Sequence, residues 1–366
     1  MKNLGIVLGL AGLAWAAGCG GDSTGLQPTG STNIGGTGGS GSGAGGMGTG
    51  GSDTSVSGSS SSSSSSSSGI PMNVYDPNVN GPYAILEMKD DQYINPSTKN
   101  KVPMHVFYPA GGPMEGPYPV VVVAHGFQLP ASQYTNYIKR LATFGYVAIT
   151  ADFPTSFLGP ENPDNAKDII SAIEWAGSKP ELKANTVNVG MTGHSLGGKI
   201  ALLAATMDSR IKASIVLDPV DGGGGPGMGC NPPNCVDVSA LMPQLKIPTG
   251  FLGETLDASG GFQPCAPAAD NYTTFYAGTT SPSLSVTVKG ANHMSFLDDL
   301  ASCGTTCSFC NMPTTDNATV NSLSRAYVTA FYERYLRGNT GYDTYLTGAE
   351  AQARYVDKGL VTIESK

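Results

Sequence analysis

The amino-acid sequence predicts an α/β fold in which a mostly parallel central sheet carries helices on both of its faces. After about residue 100, strand-length apolar runs alternate with segments of helical periodicity, and this alternation is typical of such sheets. Residues 120–124 read Val-Val-Val-Val-Ala without a polar position, as a parallel strand covered on both faces requires. A glycine-flanked turn then joins an apolar strand at 187–191 to an Ala/Leu-rich helix at 196–207.

The elements before that turn follow from local patterns. Residues 104–108 alternate in hydropathy between two prolines, which predicts an early antiparallel strand. Residues 132–144 have apolar side chains at helical spacing and precede Gly145, a typical helix stop. Residues 146–150 are predicted to form the next buried strand.

The remaining elements continue the alternation of strand and helix. A helix is predicted at 165–178, strands at 213–217, 249–252 and 284–288, and an amphipathic helix at 323–336. The strand at 284–288 is predicted to be the last one, and the helix at 323–336 is predicted to close the domain.

The N-terminal residues are predicted to be an export signal. Lys2 supplies a positive charge, and the apolar stretch that follows it ends in small residues. The tetrapeptide Ala-Ala-Gly-Cys that ends at Cys19 resembles a bacterial lipobox, although Ala16 stands where a larger aliphatic residue is usual. We therefore expect a signal peptide at residues 1–18, a lipid on Cys19 that anchors the protein to a membrane, and a place in the bacterial cell envelope. The alternative is an ordinary signal peptide and an extracellular protein.

Residues 19–69 are rich in glycine and serine and include an unbroken serine run at 59–68. Such a segment buries too little apolar surface to offset the entropy of ordering it, so a disordered tether is predicted. The remainder, residues 70–366, is long enough for one α/β domain with a full core.

The charge balance and the cysteines restrict the function classes. The net charge is -8 and no Lys/Arg cluster is present, so nucleic acid is not an expected partner. Of the 7 cysteines, Cys19 is set aside as the lipidation site. The others are expected to form up to three disulfides in an exported protein; they are Cys230, Cys235, Cys265, Cys303, Cys307 and Cys310. The spacing of the last three also matches an iron–sulfur motif, but that motif belongs near the start of a cytosolic barrel. A zinc site is a lesser alternative, and the prediction is that the cysteines form disulfides and that no metal is bound.

The strongest chemical signal is Gly193-His194-Ser195-Leu196-Gly197 between the strand and the helix. Gly-x-Ser-x-Gly in a strand–turn–helix context is the nucleophile elbow of the α/β-hydrolase fold. Its glycines let strand and helix approach closely, and the serine hydroxyl projects above a helix N-terminus that favours negative charge. Ser195 is therefore the predicted nucleophile.

The general base is identified by elimination among the 4 histidines. His105 lies within an early strand, His125 directly follows the Val-rich strand, and His194 is expected to point away from its neighbour Ser195. His293 follows the last predicted strand, where the base arrives in this fold. His293 is the predicted base.

Two backbone N–H groups are expected to hold the oxyanion of a tetrahedral intermediate. One belongs to Leu196, the residue after the nucleophile, and the other to Phe127, in the loop after the strand at 120–124. The aromatic side chains of Phe127, Phe153 and Phe296 follow strands at the same edge of the sheet, and they are candidates for the substrate pocket.

The acid that orients His293 has two main candidates. Asp218 ends the strand at 213–217, and Asp257 follows the next strand. Both loops reach the same edge of the sheet, and bare topology favours Asp257.

Three motifs together resemble the chlorophyllase family: the elbow with Gly198-Lys199, the run Leu-Asp-Pro-Val-Asp-Gly at 217–222, and His-Met-Ser-Phe-Leu-Asp-Asp at 293–299. This family belongs to the broader group of cutinase-like polyester hydrolases and platelet-activating-factor acetylhydrolases. The resemblance implies a triad of Ser195, Asp218 and His293, and leaves Asp257, Asp221 and Glu254 as lesser candidates for the acid. Chlorophyllases commonly have Arg after the nucleophile, whereas lipases and polyester hydrolases tend to carry Leu, as at Leu196.

The predicted function is a secreted or surface-anchored serine ester hydrolase that works through an acyl-enzyme. It is expected to be a monomer, to need no cofactor and to act on an ester of unknown size. The alternatives are a chlorophyllase or acyltransferase and, in a different class, a surface binding module on an inactive hydrolase scaffold. The intact Ser, His and Asp candidates argue against the last, because a binding role does not need them.

Overall fold

The central feature of the protein is a mixed β-sheet. The computed structural model describes residues 73–156, 161–222, 232–259 and 264–366, without the side chains of 304–306 and 308. The predicted signal peptide, the lipidation site Cys19, the tether at 19–69, the first residues of the predicted domain and Cys230 lie outside these ranges. Within them, nine strands form one sheet; the strands are β1 (Ala84–Asp90), β2 (Met104–Gly111), β3 (Tyr118–Ala124), β4 (Val147–Ala151), β5 (Ala184–Gly193), β6 (Ile211–Leu217), β7 (Thr249–Glu254), β8 (Ser283–Val288) and β9 (Val361–Ser365).

The strand order is β1-β2-β4-β3-β5-β6-β7-β8-β9. Neighbours from β4 to β8 pair in parallel, whereas β1–β2, β2–β4 and β8–β9 pair antiparallel. The carboxyl ends of the parallel strands therefore meet at one edge of the sheet, which is where ligands bind in open α/β sheets.

The helices lie on both faces of this sheet, which confirms the predicted fold class. Those of the described residues are α1 (Thr135–Thr143), α2 (Asn162–Gly177), α3 (Leu196–Met207), α4 (Tyr272–Gly278), α5 (Asn317–Tyr335), α6 (Asp343–Leu346) and α7 (Ala349–Ala351). Alternate residues of β3 separate two cores. Val121 and Val123 pack with side chains of α1 and α5, and Val120 and Val122 pack with side chains of α2 and α3, because successive strand residues point to opposite faces.

The outermost strands and several helix ends differ from the sequence prediction. β1 and β9 were not predicted, and the strand at 284–288 is not the last. Most side chains of these edge strands are exposed or half-buried, so neither shows the apolar run of a covered strand. The segment predicted as a helix at 132–144 is a 3-10 turn, Ala131–Tyr134, followed by α1. α5 begins at Asn317, where Asp316 accepts the N–H of Thr319 as a helix cap.

Two disulfides connect the segments around residue 300. Cys265 bonds to Cys310 and Cys303 bonds to Cys307, so the three cysteines with iron–sulfur spacing are occupied by disulfides. Within the described ranges, one group of potential metal ligands lies close together: Asp257, Cys265 and Cys310. Because both of its sulfur atoms belong to a disulfide, this group offers no thiolate to a metal.

None of the helices in the described ranges has the length and apolar character needed to cross a membrane.

Candidate active site

The turn between β5 and α3 has the strained backbone of a nucleophile elbow. Ser195 has φ of 56°, a left-handed conformation that a non-glycine residue adopts only when its surroundings enforce it. A Cβ atom on Gly193 would collide with the carbonyl of Gly197, and one on Gly197 would collide with the carbonyl of Ala124. The two glycines therefore allow the strand and the helix to approach closely enough to present the Ser195 hydroxyl at the edge of the sheet.

The structure brings three of the predicted residues into one hydrogen-bonded series. The Nε2 atom of His293 lies 2.8 Å from Oγ of Ser195, and its Nδ1 atom lies 2.6 Å from Oδ2 of Asp218. His293 begins a short 3-10 helix after β8, and Asp218 follows β6 with φ of 41°. The three side chains thus come from the carboxyl ends of three different strands.

Asp257 also contacts His293, but through the backbone. Its Oδ2 atom accepts the main-chain N–H of His293 at 2.8 Å, and its Oδ1 atom accepts the N–H of Asn311 at 2.8 Å. Asp257 is fully buried. Of the two main candidates for the acid, Asp218 is the one that bonds to the imidazole, while Asp257 holds the chain on which the imidazole is carried.

The carboxyl groups of Asp218 and Glu254 are both buried. Burial raises the pKa of Asp218, and the hydrogen bond from His293 opposes this shift. Oδ1 of Asp218 has no hydrogen-bond partner within the described part of the chain. Glu254, another lesser candidate for the acid, accepts the N–H groups of Leu256 and Asp257, whereas the hydrogen bonds of the His293 imidazole go to Asp218 and Ser195. Burial, together with the charge of Asp218, raises its pKa to about 8.

Glu254 is expected to make stability depend on pH. The folded protein retains its proton between the ordinary value of 4.5 and about 8, a range in which the unfolded chain has lost it. The free energy of unfolding should therefore fall as the pH rises through this range. Urea unfolding at pH 5 and pH 8.5 should show that the free energy of unfolding changes less between the two pH values in Glu254→Gln than in wild type. The control is Glu181→Gln, at an exposed position, which should retain the wild-type change of the free energy of unfolding between the two pH values. If Glu254→Gln also retained it, Glu254 would not be the source of the pH dependence.

The predicted oxyanion donors lie beside the nucleophile. Leu196 is the first residue of α3, so its N–H has no partner within the helix. The loop that carries Phe127 is close to Ser195, because a Cβ atom on Gly126 would lie 3.4 Å from Cβ of Ser195. Phe127 and Leu196 both line a cleft of about 360 Å³, whose other lining residues are mostly polar and include Asn100, Thr155, Glu161, Asn162 and Asn165.

The orientation of the Phe127 N–H depends on His125, which sequence reasoning treated only as a loop residue. Nδ1 of His125 lies 2.8 Å from the carbonyl oxygen of Gly126, and the N–H of Leu129 donates to the same oxygen at 3.2 Å. The carbonyl of Gly126 and the N–H of Phe127 belong to one planar peptide group and point in opposite directions. The groups that hold this carbonyl, the N–H of Leu129 and the imidazole of His125, therefore also fix the direction of the N–H.

Phe153 and Phe296 do not lie where a substrate pocket requires them, and the expectation is corrected. Their side chains are 1% and 0% exposed. The Phe153 ring stacks on the buried imidazole of His125 with centroids 4.2 Å apart, and the Phe296 ring packs near that of His194. Both rings complete the packing beneath the site, so of the three aromatic candidates Phe127 alone lines the cleft.

Asp221 bonds to a lysine rather than to His293. The Lys199 side chain, in the first turns of α3, is completely buried. Its Nζ atom lies 3.2 Å from Oδ1 of Asp221 and donates to the main-chain carbonyl of Asp221 at 3.1 Å. The same carboxylate accepts the N–H groups of Val238 and Ser239. This ion pair joins the helix behind the nucleophile to the loop that follows Asp218.

Lys199→Met is expected to lower the free energy of unfolding by about 3–5 kcal/mol, because it leaves the Asp221 carboxylate buried without its cation. The control is Lys167→Met. Lys167 pairs with Asp164 at 2.7 Å, but both side chains are 44% exposed, so its loss should cost less than about 1 kcal/mol. Urea unfolding measures both values, and equal values would show that burial does not determine the strength of the Lys199 pair.

Comparison with known proteins places this site in a family. The sequence profile of the chlorophyllase family matches residues 80–353, a stretch that contains Ser195, Asp218 and His293. The chain belongs to the chlorophyllase family. The resemblance found in the sequence motifs is thereby confirmed.

Individual members of the wider group are distant relatives. The chain is 30% identical to chlorophyllase-2 of Arabidopsis thaliana over 202 residues, which are 50% of this chain and 62% of the plant protein. It is 28% identical to chlorophyllase-1 of Arabidopsis thaliana over 239 residues, 60% of this chain and 70% of that protein. It is also 24% identical to the bis(hydroxyethyl) terephthalate hydrolase of Streptomyces coelicolor over 245 residues, 66% of this chain and 64% of the bacterial protein. The chain thus spans under two thirds of the first and third of these relatives.

Proposed function

We propose that this member of the chlorophyllase family is a carboxylic-ester hydrolase that works through an acyl-enzyme on Ser195. The observation that carries the proposal is the continuous series from Asp218 through His293 to Ser195, with distances of 2.6 and 2.8 Å. A hydroxyl, an imidazole and a buried carboxylate in this order are the parts of a Ser-His-Asp triad. The family match and the ester hydrolases among the relatives support the same class of reaction.

The proposed reaction has two halves. Oγ of Ser195 attacks the ester carbonyl while Nε2 of His293 takes its proton, and the Asp218 carboxylate stabilises the imidazolium. The N–H groups of Leu196 and Phe127 hold the oxyanion. The tetrahedral intermediate breaks its C–O bond to the alcohol, which leaves with the proton from His293. Water then attacks the acyl-enzyme, gives a proton to His293, and the free acid departs as that proton returns to Ser195.

We propose that the hydrolase acts outside the cytoplasm, anchored through Cys19. The disulfides Cys265–Cys310 and Cys303–Cys307 support this placement, since disulfides persist in oxidising compartments. Hydrolysis of a chlorophyll ester is a second candidate activity, supported by the family match. Leu196 beside the nucleophile, where chlorophyllases commonly have Arg, and the cleft of about 360 Å³ next to it favour smaller esters.

A fluorophosphonate probe tests the proposed chemistry, because it phosphonylates only an activated serine. Wild-type protein should be labelled on Ser195, and Ser195→Ala should not be labelled. A folded wild-type protein that does not react would contradict the proposal and favour an inactive binding module. Hydrolysis of bis(hydroxyethyl) terephthalate, of short-chain nitrophenyl esters and of chlorophyll, compared at equal enzyme concentration, would then separate the two candidate activities.

A further inference from the structure

His194 is a buried polar side chain next to the site that the proposed reaction leaves unused. It does not simply point away from the nucleophile, as the sequence suggested. Its Nε2 atom lies 2.8 Å from the main-chain carbonyl oxygen of His293, and its Nδ1 atom lies 2.8 Å from the hydroxyl of Tyr134. That hydroxyl in turn accepts the N–H of Gly126 at 3.2 Å. His194 and Tyr134 are both completely buried.

These contacts form a second hydrogen-bonded series, which runs from the carbonyl of His293 through His194 and Tyr134 to the N–H of Gly126. The hydrogen-bond partners determine where each proton of this series lies. The carbonyl of His293 can only accept, so Nε2 of His194 must carry a hydrogen. Burial and the neighbouring His293 hold the pKa of His194 well below its usual range, so the ring is neutral and Nδ1 is an acceptor. The Tyr134 hydroxyl therefore donates to Nδ1, and its oxygen is free to accept the N–H of Gly126. The opposite tautomer would place two acceptors, Nε2 and the carbonyl oxygen, 2.8 Å apart.

The two ends of this series lie at the two parts of the proposed active site, the oxyanion loop and the general base. Gly126 immediately precedes Phe127, the proposed oxyanion donor, and the carbonyl at the other end belongs to the proposed base. The main-chain N–H of His293 is already held by Asp257 at 2.8 Å. With His194 on the carbonyl, buried side chains hold both backbone polar groups of His293.

We propose that Tyr134 and His194 are positioning residues that fix the oxyanion loop and the base relative to each other. This inference rests on the proposed hydrolase function and adds to it. The series holds Gly126, whose backbone lies against Ser195, and the backbone of His293. It thereby sets where the oxyanion donor and the proton acceptor meet the reacting carbonyl. An error of about 1 Å in such positions can cost about a hundredfold in rate.

Tyr134→Phe removes only the hydroxyl and is the first test. Its kcat on a nitrophenyl ester should fall about ten- to a hundredfold, with KM within about twofold, because the ground-state binding surface is unchanged. The matched control is Tyr355→Phe. Tyr355 is also buried, and its hydroxyl donates to Asn78 at 2.6 Å, so this variant loses a comparable hydrogen bond away from the site. Equal kcat values for the two variants would overturn the proposal.

Two substitutions at His194 distinguish a positioning role of its hydrogen bonds from a role in packing alone. His194→Gln keeps a donor near the position of Nε2, so it should retain more of the wild-type kcat than His194→Leu, which has no donor. Combining Tyr134→Phe with His194→Gln should cost less than the product of the two single losses, because both break the same series. Multiplicative losses would show that the two side chains act independently.

Nitrogen NMR of the wild-type protein tests the series even where a variant does not fold. His194 should show a protonated Nε2 and an unprotonated Nδ1 at neutral pH. The opposite tautomer, or a doubly protonated ring, would overturn the proposal whatever the kinetics. If wild-type protein lacks esterase activity and fluorophosphonate labelling, the proposed function is wrong, whereas this tautomer measurement still decides whether the hydrogen-bonded series exists.

Discussion

Ser195→Ala is expected to lower kcat on a nitrophenyl ester by about a million-fold. The alanine lacks the only atom that forms the proposed acyl bond, and Oγ is the group that His293 contacts at 2.8 Å. His293→Ala should cost a similar factor, and the double variant little more, because the side chains act as one unit. Initial rates with matched unfolding curves measure these losses.

The control for this substitution is Ser214→Ala. Ser214 lies in the neighbouring strand β6, is buried, and donates to the carbonyl of Met191 at 2.9 Å. Like Ser195→Ala, this replacement removes one serine hydroxyl, but one that does not contact His293, so kcat should stay within about threefold of wild type, as expected for a residue outside the reaction. If Ser195→Ala retained more than about one hundredth of the wild-type kcat, a nucleophilic role for Ser195 would be wrong.

Asp218→Asn is expected to lower kcat by about ten-thousandfold with little change of shape. The carboxylate accepts a hydrogen from Nδ1 of His293 at 2.6 Å, which leaves Nε2 free to take the proton of Ser195. An asparagine amide in its place can donate to Nδ1 instead, and the imidazole then turns a hydrogen toward the serine. The base is present but in the wrong tautomer.

Asp257→Asn is the matched control for the acid. Asp257 is as buried as Asp218 and also bonds to His293, but through the main-chain N–H. Asparagine keeps one oxygen that can accept this N–H, so the loss in kcat should be less than about tenfold, in line with the loss of one hydrogen bond, that from the N–H of Asn311. The reverse ranking of Asp218→Asn and Asp257→Asn would make Asp257 the acid.

The sequence correctly predicted those elements whose conformation is determined by neighbouring residues. The apolar run of β3 and the glycines around Ser195 each require one conformation almost regardless of the rest of the chain. The edge strands β1 and β9 gave no such signal, because half-exposed strands need little apolar patterning and are defined by the partner with which they pair.

The choice between Asp218 and Asp257 as the acid depends on distances that the residue pattern alone does not give. Both follow neighbouring parallel strands, both are buried, and both bond to His293. Bare topology favoured Asp257, and the family motifs favoured Asp218. The two differ only in whether the carboxylate meets the imidazole or the backbone, a matter of a few ångströms that depends on how three loops pack. The pattern of residues in a chain does not encode a distance of that size.

The sequence by itself determined the fold class, the elbow with its serine and the short list of residues at the catalytic edge, because strand periodicity and glycine sterics act within a few residues. The tertiary structure alone decided that Phe153 and Phe296 are core residues. It also decided that Lys199 pairs with Asp221 and that the imidazole of His194 joins the loops of Gly126 and His293. Each of these results depends on which side chains from distant segments share a space from which water is excluded, since a buried polar group must find its partner wherever the fold supplies one.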